Sequence, residues 1–329
     1  MTRTPVIDCL QYANFSEKIF QEMREGGVDA VHVTIAYHET FREMVLNIEC
    51  WNGWFQQYGD LIFPGRTGDD VRAAQESGRT AIYFGLQNPS PIEDDLGLVE
   101  ICHALGVRFM QLSYNNQSLL ASGCYESVDT GITRFGRQVI REMNRLGMVV
   151  DMSHSGERST LEAIELSTRP VVISHANPSA WHAALRNKSD TVLRALVESG
   201  GMLGLSLYPH HLKGGSQCRL QDFCAMAADT VEKYGIESVG IGSDLCQDQP
   251  DEVVVWMRNG RWSKDMDFGE GSAVTPGFPE QPYWFAGNKD FRNIARGLSE
   301  VGFSAQEVGA IMGGNWLRFY DAAFSPKAA

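Results

Sequence analysis

The chain has 329 residues, 43% of them hydrophobic, and no apolar run comes near the roughly 20 residues that a membrane-spanning helix needs. Its formal net charge is −13, and the 28 Lys and Arg residues form no cluster, so neither nucleic acid nor an anionic membrane is an expected partner. The seven cysteines include no CxxC pair, which argues against a disulfide framework or a zinc ribbon. Because the first residues carry no signal-peptide pattern, we expect a cytoplasmic protein.

Eight short apolar runs alternate with longer helical patterns along the chain. They are VIDCL from Val6, AVHVTIA from Ala30, TAIYFGLQ from Thr80, FMQLSY from Phe109, VVDMSH from Val149, PVVISHA from Pro170, GMLGLSLY from Gly201 and SVGIGSD from Ser238. Runs without clean polar alternation suit strands covered on both faces. The order predicts an α/β fold, a (β/α)8 TIM-type barrel, as a single domain over residues 1–329. A doubly wound open sheet is the alternative, but the chain has neither a GxGxxG nor a P-loop motif.

Helix signals fall between these runs. Helical patterns cover 131–146 and 157–167, and Ser189 or Asp190 is placed to cap a further helix in SDTVLRALVES. The SAQE sequence at Ser304–Glu307 fits a capping box and predicts a helix near the end of the chain. The regular spacing supports repeated βα units.

Two segments exceed the usual loop length. One is the aromatic stretch around Trp51, Trp54 and Phe55, and the other is a long loop insertion at about 247–288, after the eighth strand. Long loops on the carboxyl side of barrel strands build binding surfaces. Trp51 and Trp54 are therefore expected either to line the barrel mouth or to pack beneath a long loop.

Polar residues that can carry chemistry stand at three strand ends. The fifth run ends in DMSH at His154, the sixth contains ISH at His175, and the eighth ends in GSD at Asp244. Carboxyl ends of barrel strands meet at the active-site mouth. Two imidazoles and a carboxylate there predict a zinc site with a position left for water.

The remaining histidines are weaker candidates. His32 lies within the second strand and His38 just beyond it, so either side chain could approach the site. The others stand in helical or loop contexts, where a solvated or structural role is expected. These are His103, His182, His210 and His211.

Longer motifs point to one family. From Phe109 to Tyr208 the chain contains, in order, FMQLSYNNQ, MSHSG, VVISHANPSAW, LRNKSDTVLRAL and LGLSLY, and GGNWLRFY begins at Gly313. In order and spacing these motifs resemble the membrane (renal) dipeptidases, zinc peptidases with an amidohydrolase-like barrel. The resemblance covers nearly the whole chain and implies a metal-dependent hydrolase with a dipeptide-like substrate. Relatives commonly pair, so it also implies a homodimer.

The resemblance assigns roles to particular residues. It makes His154 and His175 the two histidine ligands of one zinc ion, and Asp244 the aspartate that helps hold the other ion and handles the attacking water. Arg186 resembles the arginine that receives the substrate carboxylate, and Tyr208 resembles a pocket tyrosine. Tyr114, at the end of the fourth strand, stands where relatives often place a histidine and is expected to contact the substrate.

Other family ligands are absent. The first strand of the family ends in a His-x-Asp pair, but this chain has Leu10 and Tyr12 at those positions. The glutamate that bridges the two zinc ions is replaced by Gln87, whose neutral amide is at most a weak oxygen ligand. We therefore expect one zinc ion, bound by His154, His175 and either Asp244 or a water, with Gln87 as a weak neutral oxygen ligand.

Three functions fit this pattern. The first is a one-metal hydrolase that cleaves an amide or peptide bond in a small carboxylate-bearing substrate, with Asp244 as general base. The second is a catalytically inactive binding protein that kept the dipeptidase fold. The third is a metal-independent lyase or isomerase with Asp244 as base and Tyr114 or a histidine as acid.

Overall fold

Nine parallel strands form one sheet in the computed structural model of the chain, which describes residues 3–261, 263–265 and 269–324. The strands are β1 Ile7–Gln11, β2 Ala30–Ala36, β3 Ile62–Pro64, β4 Thr80–Leu86, β5 Val107–Gln111, β6 Val149–Asp151, β7 Val172–Ala176, β8 Met202–Leu205 and β9 Val239–Ile241. Hydrogen bonding runs in the order β2-β1-β9-β8-β7-β6-β5-β4, and β4 pairs again with β2. Eight strands therefore close into a barrel.

All eight predicted strands are found in the barrel, which confirms the predicted fold class. The ninth strand, β3, was not predicted. It has only three residues and pairs with the first part of β4, from Ile62 opposite Thr80 to Pro64 opposite Ile82. A segment this short carries too little periodicity to be recognised in a sequence.

Helices surround the barrel. In the described residues they are α1 Glu17–Gly26, α2 Phe41–Gln57, α3 Gly68–Ser77, α4 Gly97–Ala104, α5 Arg134–Leu146, α6 Glu157–Leu166, α7 Asp190–Glu198, α8 Leu220–Tyr234, α9 Asp251–Asn259, α10 Phe291–Glu300, α11 Ala305–Gly309 and α12 Asn315–Ala323. Ser189 caps α7 by accepting from Val192 N at 3.3 Å, as predicted. The predicted capping box of Ser304 and Glu307 opens α11. None of these helices is both long and apolar enough to cross a membrane.

The aromatic stretch that was predicted as a loop is part of helix α2. Met44, Ile48 and Trp51 recur at helical spacing and face the core, and a capping box of Thr40 and Glu43 starts the helix. Trp51 is buried in the core. Of the two alternatives for this tryptophan, its burial supports packing inside the protein, beneath a helix and not a loop.

Helix α12 closes the amino-terminal end of the barrel. The indole of Trp316 donates to the Ile241 carbonyl at 2.9 Å and lies against Gly240, where a Cβ atom would come within 2.3 Å of it. Asn315 donates to the Val239 carbonyl at 2.8 Å. With this end filled by side chains, the opposite end is left for a binding site.

Candidate active site

The predicted site residues meet at the carboxyl ends of the barrel strands. His154 follows β6, His175 lies in β7 and Asp244 follows β9, so the parallel strands deliver these side chains to one end of the barrel. A cavity of about 40 Å³ lies there. Its lining includes Gln87, Tyr114, His154, Arg186, Tyr208 and Asp244. His175 joins this group through its contact with His154.

The imidazoles of His154 and His175 face each other, with their Nε2 atoms 3.1 Å apart. Nδ1 of His154 lies 2.6 Å from the side-chain oxygen of Asn115, which only accepts hydrogen bonds, so this nitrogen carries the ring proton. Burial holds the pKa of both histidines well below the usual value, and the Arg186 guanidinium lowers it further. Both rings are therefore neutral.

This pair fits the ligands of one metal ion. Ser174 gives its hydroxyl hydrogen to Asp151, so its oxygen accepts the Nδ1 hydrogen of His175 at 2.7 Å. Both Nε2 atoms then present lone pairs, with no hydrogen between them. Zinc holds nitrogen ligands at about 2.0–2.1 Å, which puts two of them about 3.3 Å apart in a tetrahedral site, close to the observed separation.

The described residues supply no third His, Cys, Asp or Glu that completes a metal-binding cluster with the pair. Asp244 lines the same cavity but does not form such a cluster with the histidines. Gln87 donates through Nε2 to the hydroxyls of Thr34 and Tyr37, at 2.8 Å each, so only its carbonyl oxygen is left for a ligand. The structure thus brings two candidate metal ligands together and places the other two candidates in the lining of the same cavity.

Asp244 occupies a constrained and buried position. Its backbone has a φ of 56°, in the left-handed region that non-glycine residues rarely adopt, and its N–H donates to the Leu10 carbonyl at 3.1 Å. Burial raises the pKa of Asp244 to about 7, Arg186 opposes this shift, and the nearby carboxyl of Asp8 adds to it. A carboxyl that titrates near neutral pH suits proton transfer.

Arg186 is a buried cation with 4% of its surface exposed. Its Nε donates to the Ser153 carbonyl at 3.3 Å, and Nη2 donates to the His175 carbonyl at 3.5 Å. Among the described residues, no carboxylate lies within 4.0 Å of the guanidinium. Lys188, a second buried cation, donates to the Ser155 carbonyl at 2.8 Å and is not part of the cavity lining. Arg186 is therefore the buried cation of the lining that can receive an anionic ligand, and the partly exposed Arg258 is a second cation there.

Aromatic rings form one wall of the cavity. Tyr114 stacks on His154 with ring centroids 4.2 Å apart, and its other side meets Tyr37 edge-on at 4.8 Å. Tyr208 packs at 5.2 Å from the ring of His211. Of the two tyrosines predicted to contact the substrate, Tyr114 thus lies against the histidine pair and Tyr208 lines the same cavity beside His211.

Sequence reasoning missed His211 and Glu270. His211 was expected to be solvated or structural, but it is buried against the cavity, with Nδ1 2.8 Å from Oγ of Ser206. In the described part of the chain, neither Nε2 of His211 nor Oε1 of Glu270 has a hydrogen-bond partner. Nε2 of His211 lies 3.8 Å from Oε2 of Glu270. The only signal for His211 was its place just after the LSLY strand end, and Glu270 lies in the long segment after β9, without a motif.

The weaker histidine candidates do not join the pair. His32 lies inside the barrel, with Nδ1 3.0 Å from the Cys9 carbonyl, and burial lowers its pKa to about 3. Nε2 of His38 lies 3.0 Å from the Met257 carbonyl at the edge of the mouth. Both imidazoles therefore have structural contacts.

Comparison with known proteins identifies the relatives of this barrel. A family model described as membrane dipeptidase (peptidase family M19) matches residues 9–254. The chain belongs to the membrane dipeptidase family. Dipeptidase tcpJ of Claviceps purpurea is 25% identical over 293 residues, covering 88% of this chain and 61% of that protein. Dipeptidase verJ of Clonostachys rogersoniana is 29% identical over 217 residues, covering 65% of this chain and 55% of that protein. The chain thus spans little more than half the length of these curated relatives.

Solved structures share the fold of this chain. An amidohydrolase from Pseudomonas aeruginosa superposes with a TM-score of 0.91 at 33% identity, covering 98% of this chain and 97% of that chain. A metallopeptidase from Rhodobacter sphaeroides, liganded with a phosphinate mimic of L-Ala-D-Ala, has a TM-score of 0.79 at 17% identity, covering 98% and 99%. At that identity the second similarity shows the fold alone. Membrane dipeptidases are metallopeptidases, typically dependent on zinc.

The two first-strand positions that depart from the membrane dipeptidase pattern offer no metal ligand. Leu10 is fully buried and apolar. Tyr12 packs edge-on against Tyr37, with ring centroids 4.7 Å apart, and burial raises the pKa of its phenol, which keeps it protonated. These two positions therefore present neither a histidine nor a carboxylate.

Proposed function

We propose that the protein is a membrane dipeptidase-like hydrolase that cleaves an amide or peptide bond in a small carboxylate-bearing substrate with one zinc ion. The observation that carries the proposal is the pair of neutral imidazoles, Nε2 to Nε2, in the same site as Asp244 and Arg186. His154 and His175 would hold the ion, with Gln87 as at most a weak additional ligand. When bound, zinc polarises a carbonyl and lowers the pKa of a bound water.

The side chains around the pair have complementary roles. Arg186 receives the substrate carboxylate, since its buried guanidinium has no carboxylate of the described chain within 4.0 Å. Tyr114 and Tyr208 form the walls that orient the substrate. Asp244 takes a proton from the attacking water as the water oxygen bonds to the carbonyl carbon. It returns that proton to the leaving nitrogen as the C–N bond breaks.

Substrate entry requires a movement at the mouth. The cavity of about 40 Å³ has room for only a few water molecules. Its cover comes from the segment after β9, through Val254, Met257 and Arg258 of α9 and through Glu270. We infer that these side chains move aside to admit a dipeptide-sized molecule and then exclude water from the closed site.

A panel of L-Xaa-L-Xaa and L-Xaa-D-Xaa dipeptides, assayed with the zinc-loaded protein, tests the proposal. We expect weak turnover of ordinary dipeptides and better turnover of other small amides that carry a carboxylate. Asp244→Asn should abolish turnover and leave zinc binding intact. If no amide is cleaved while carboxylates still bind, the protein is an inactive binding member of the family. Amide hydrolysis that persists after zinc removal would contradict a zinc-dependent mechanism.

A further inference from the structure

A buried chain of hydrogen bonds runs from Asp151 through Ser174 to His175. Oγ of Ser174 lies 2.5 Å from Oδ2 of Asp151 and 2.7 Å from Nδ1 of His175. All three residues are fully buried, and Asp151 and Ser174 are absent from the lining of the active-site cavity. Their hydrogen-bond contact with the site therefore runs through His175.

The donors around Asp151 determine which group donates in each hydrogen bond between Asp151, Ser174 and His175. Oδ1 of Asp151 accepts from Ser153 N at 3.0 Å, from Ser153 Oγ at 2.6 Å and from Ser174 N at 3.1 Å. Backbone N–H groups only donate, so Oδ1 cannot carry a hydrogen towards them. In the ionised carboxylate Oδ2 accepts the single hydroxyl hydrogen of Ser174. The Ser174 oxygen then accepts from Nδ1–H of His175, which leaves Nε2 of that ring unprotonated.

We propose that Asp151 and Ser174 are positioning residues that fix the tautomer of His175 and so keep its Nε2 lone pair available to a metal ion. The inference rests on the proposed function, because it assumes that Nε2 of His175 is a zinc ligand. Partners on the second nitrogen of a ligand histidine commonly set its tautomer and its orientation. Here a hydroxyl stands between the carboxylate and the imidazole.

The substitution Asp151→Asn tests the donor and acceptor roles in this series of hydrogen bonds. Two backbone N–H groups point at the Oδ1 position, so the amide oxygen must occupy it and the amide NH2 must face Ser174. Ser174 then accepts from the amide and turns its own hydrogen towards Nδ1 of His175. The ring proton moves to Nε2, facing His154, where it blocks a metal ligand. An aspartate-to-asparagine change inverts a histidine tautomer in the same way in serine proteases.

The tautomer is measured in metal-free protein labelled with ¹⁵N-histidine, by long-range ¹H–¹⁵N correlation spectra. We expect His175 to carry its proton on Nδ1 in the wild type and on Nε2 in Asp151→Asn. Ser174→Ala removes the hydroxyl that contacts Nδ1 of His175, so the ring proton should be distributed over Nδ1 and Nε2. Ser153→Ala is the control, because Ser153 is equally buried and bonds the same carboxylate without contacting Nδ1 of His175. Its Oγ lies 3.0 Å from Oγ of Ser174 and accepts from the His175 N–H at 3.2 Å, so this variant measures what the neighbouring hydroxyl alone contributes.

Zinc affinity is measured in the same variants by competition with a chelating dye. We expect a loss of roughly 10- to 100-fold in Asp151→Asn and a smaller one in Ser153→Ala. A wild-type proton on Nε2, or an unchanged tautomer in both Asp151→Asn and Ser174→Ala, would overturn the proposed relay. An inverted tautomer with unchanged zinc affinity would support the hydrogen-bond chain and contradict zinc binding at His175.

Discussion

Arg186→Met tests whether the buried guanidinium binds a substrate carboxylate. The variant keeps an unbranched apolar stem and removes the charge from a residue that is 4% exposed. A carboxylate about 4 Å from a guanidinium gains roughly 4 kcal/mol at an effective dielectric constant of about 20. That free energy corresponds to a factor of about 10³ in affinity. We therefore expect the wild type to prefer a free acid over the matching carboxamide by about that factor.

The assay compares a dipeptide with its C-terminal amide, by calorimetric binding and, where turnover is measurable, by kcat/KM. In Arg186→Met the preference for the acid should fall to one or below, because the carboxylate keeps its charge but no longer meets a cation at that position. Lys188→Met is the matched control, since Lys188 is also a buried cation but does not line the cavity. A preference that survives in Arg186→Met, or that collapses equally in Lys188→Met, would refute the role of Arg186.

Three further outcomes follow. Gly85→Ala puts a Cβ atom 1.8 Å from Nε2 of His32 and should lower the free energy of unfolding by about 1–3 kcal/mol, measured in urea titrations. Gly53→Ala is the control and should not lower it, because no atom lies within 4 Å of its new Cβ. Burial raises the pKa of Asp8 from 3.8 to about 6, so the folded state binds its proton more tightly and stability falls as pH rises from about 4 to about 6. Asp8→Asn should remove up to about 3 kcal/mol of this pH-dependent loss of stability. Equal slopes of the free energy of unfolding against pH in the wild type and the variant would contradict this. Gln87→Glu should tighten zinc binding, measured by calorimetric titration, without adding a second ion, because the first-strand ligands remain absent. Binding of two ions by this variant would contradict the expectation.

The barrel could be predicted from the sequence because buried parallel strands leave uninterrupted apolar runs. Strand β3 was missed because three residues form no recognisable pattern. The sequence predicts a loop around Trp51 and Trp54, because clustered aromatic residues suggest a binding surface. Their spacing together with Met44 and Ile48 is that of a helix face, and the core packing of Trp51 settles which interpretation holds.

Part of the candidate site could be predicted because its residues stand at strand ends. His154, His175 and Asp244 follow directly from the strand pattern, since parallel strands bring their carboxyl ends together. His211 and Glu270 could not be found in this way, because their positions depend on the path of the chain after β8 and β9. The tautomers of the histidine pair likewise depend on hydrogen bonds that a sequence does not reveal.

The central claim is that this membrane dipeptidase family member holds one zinc ion on His154 and His175. Elemental analysis of protein purified without added metal, followed by calorimetric zinc titration of the metal-free protein, measures the number of ions directly. The account predicts about one zinc per chain, lost in His154→Ala and in His175→Ala. Two zinc ions per chain, or one ion that persists in both alanine variants, would contradict it.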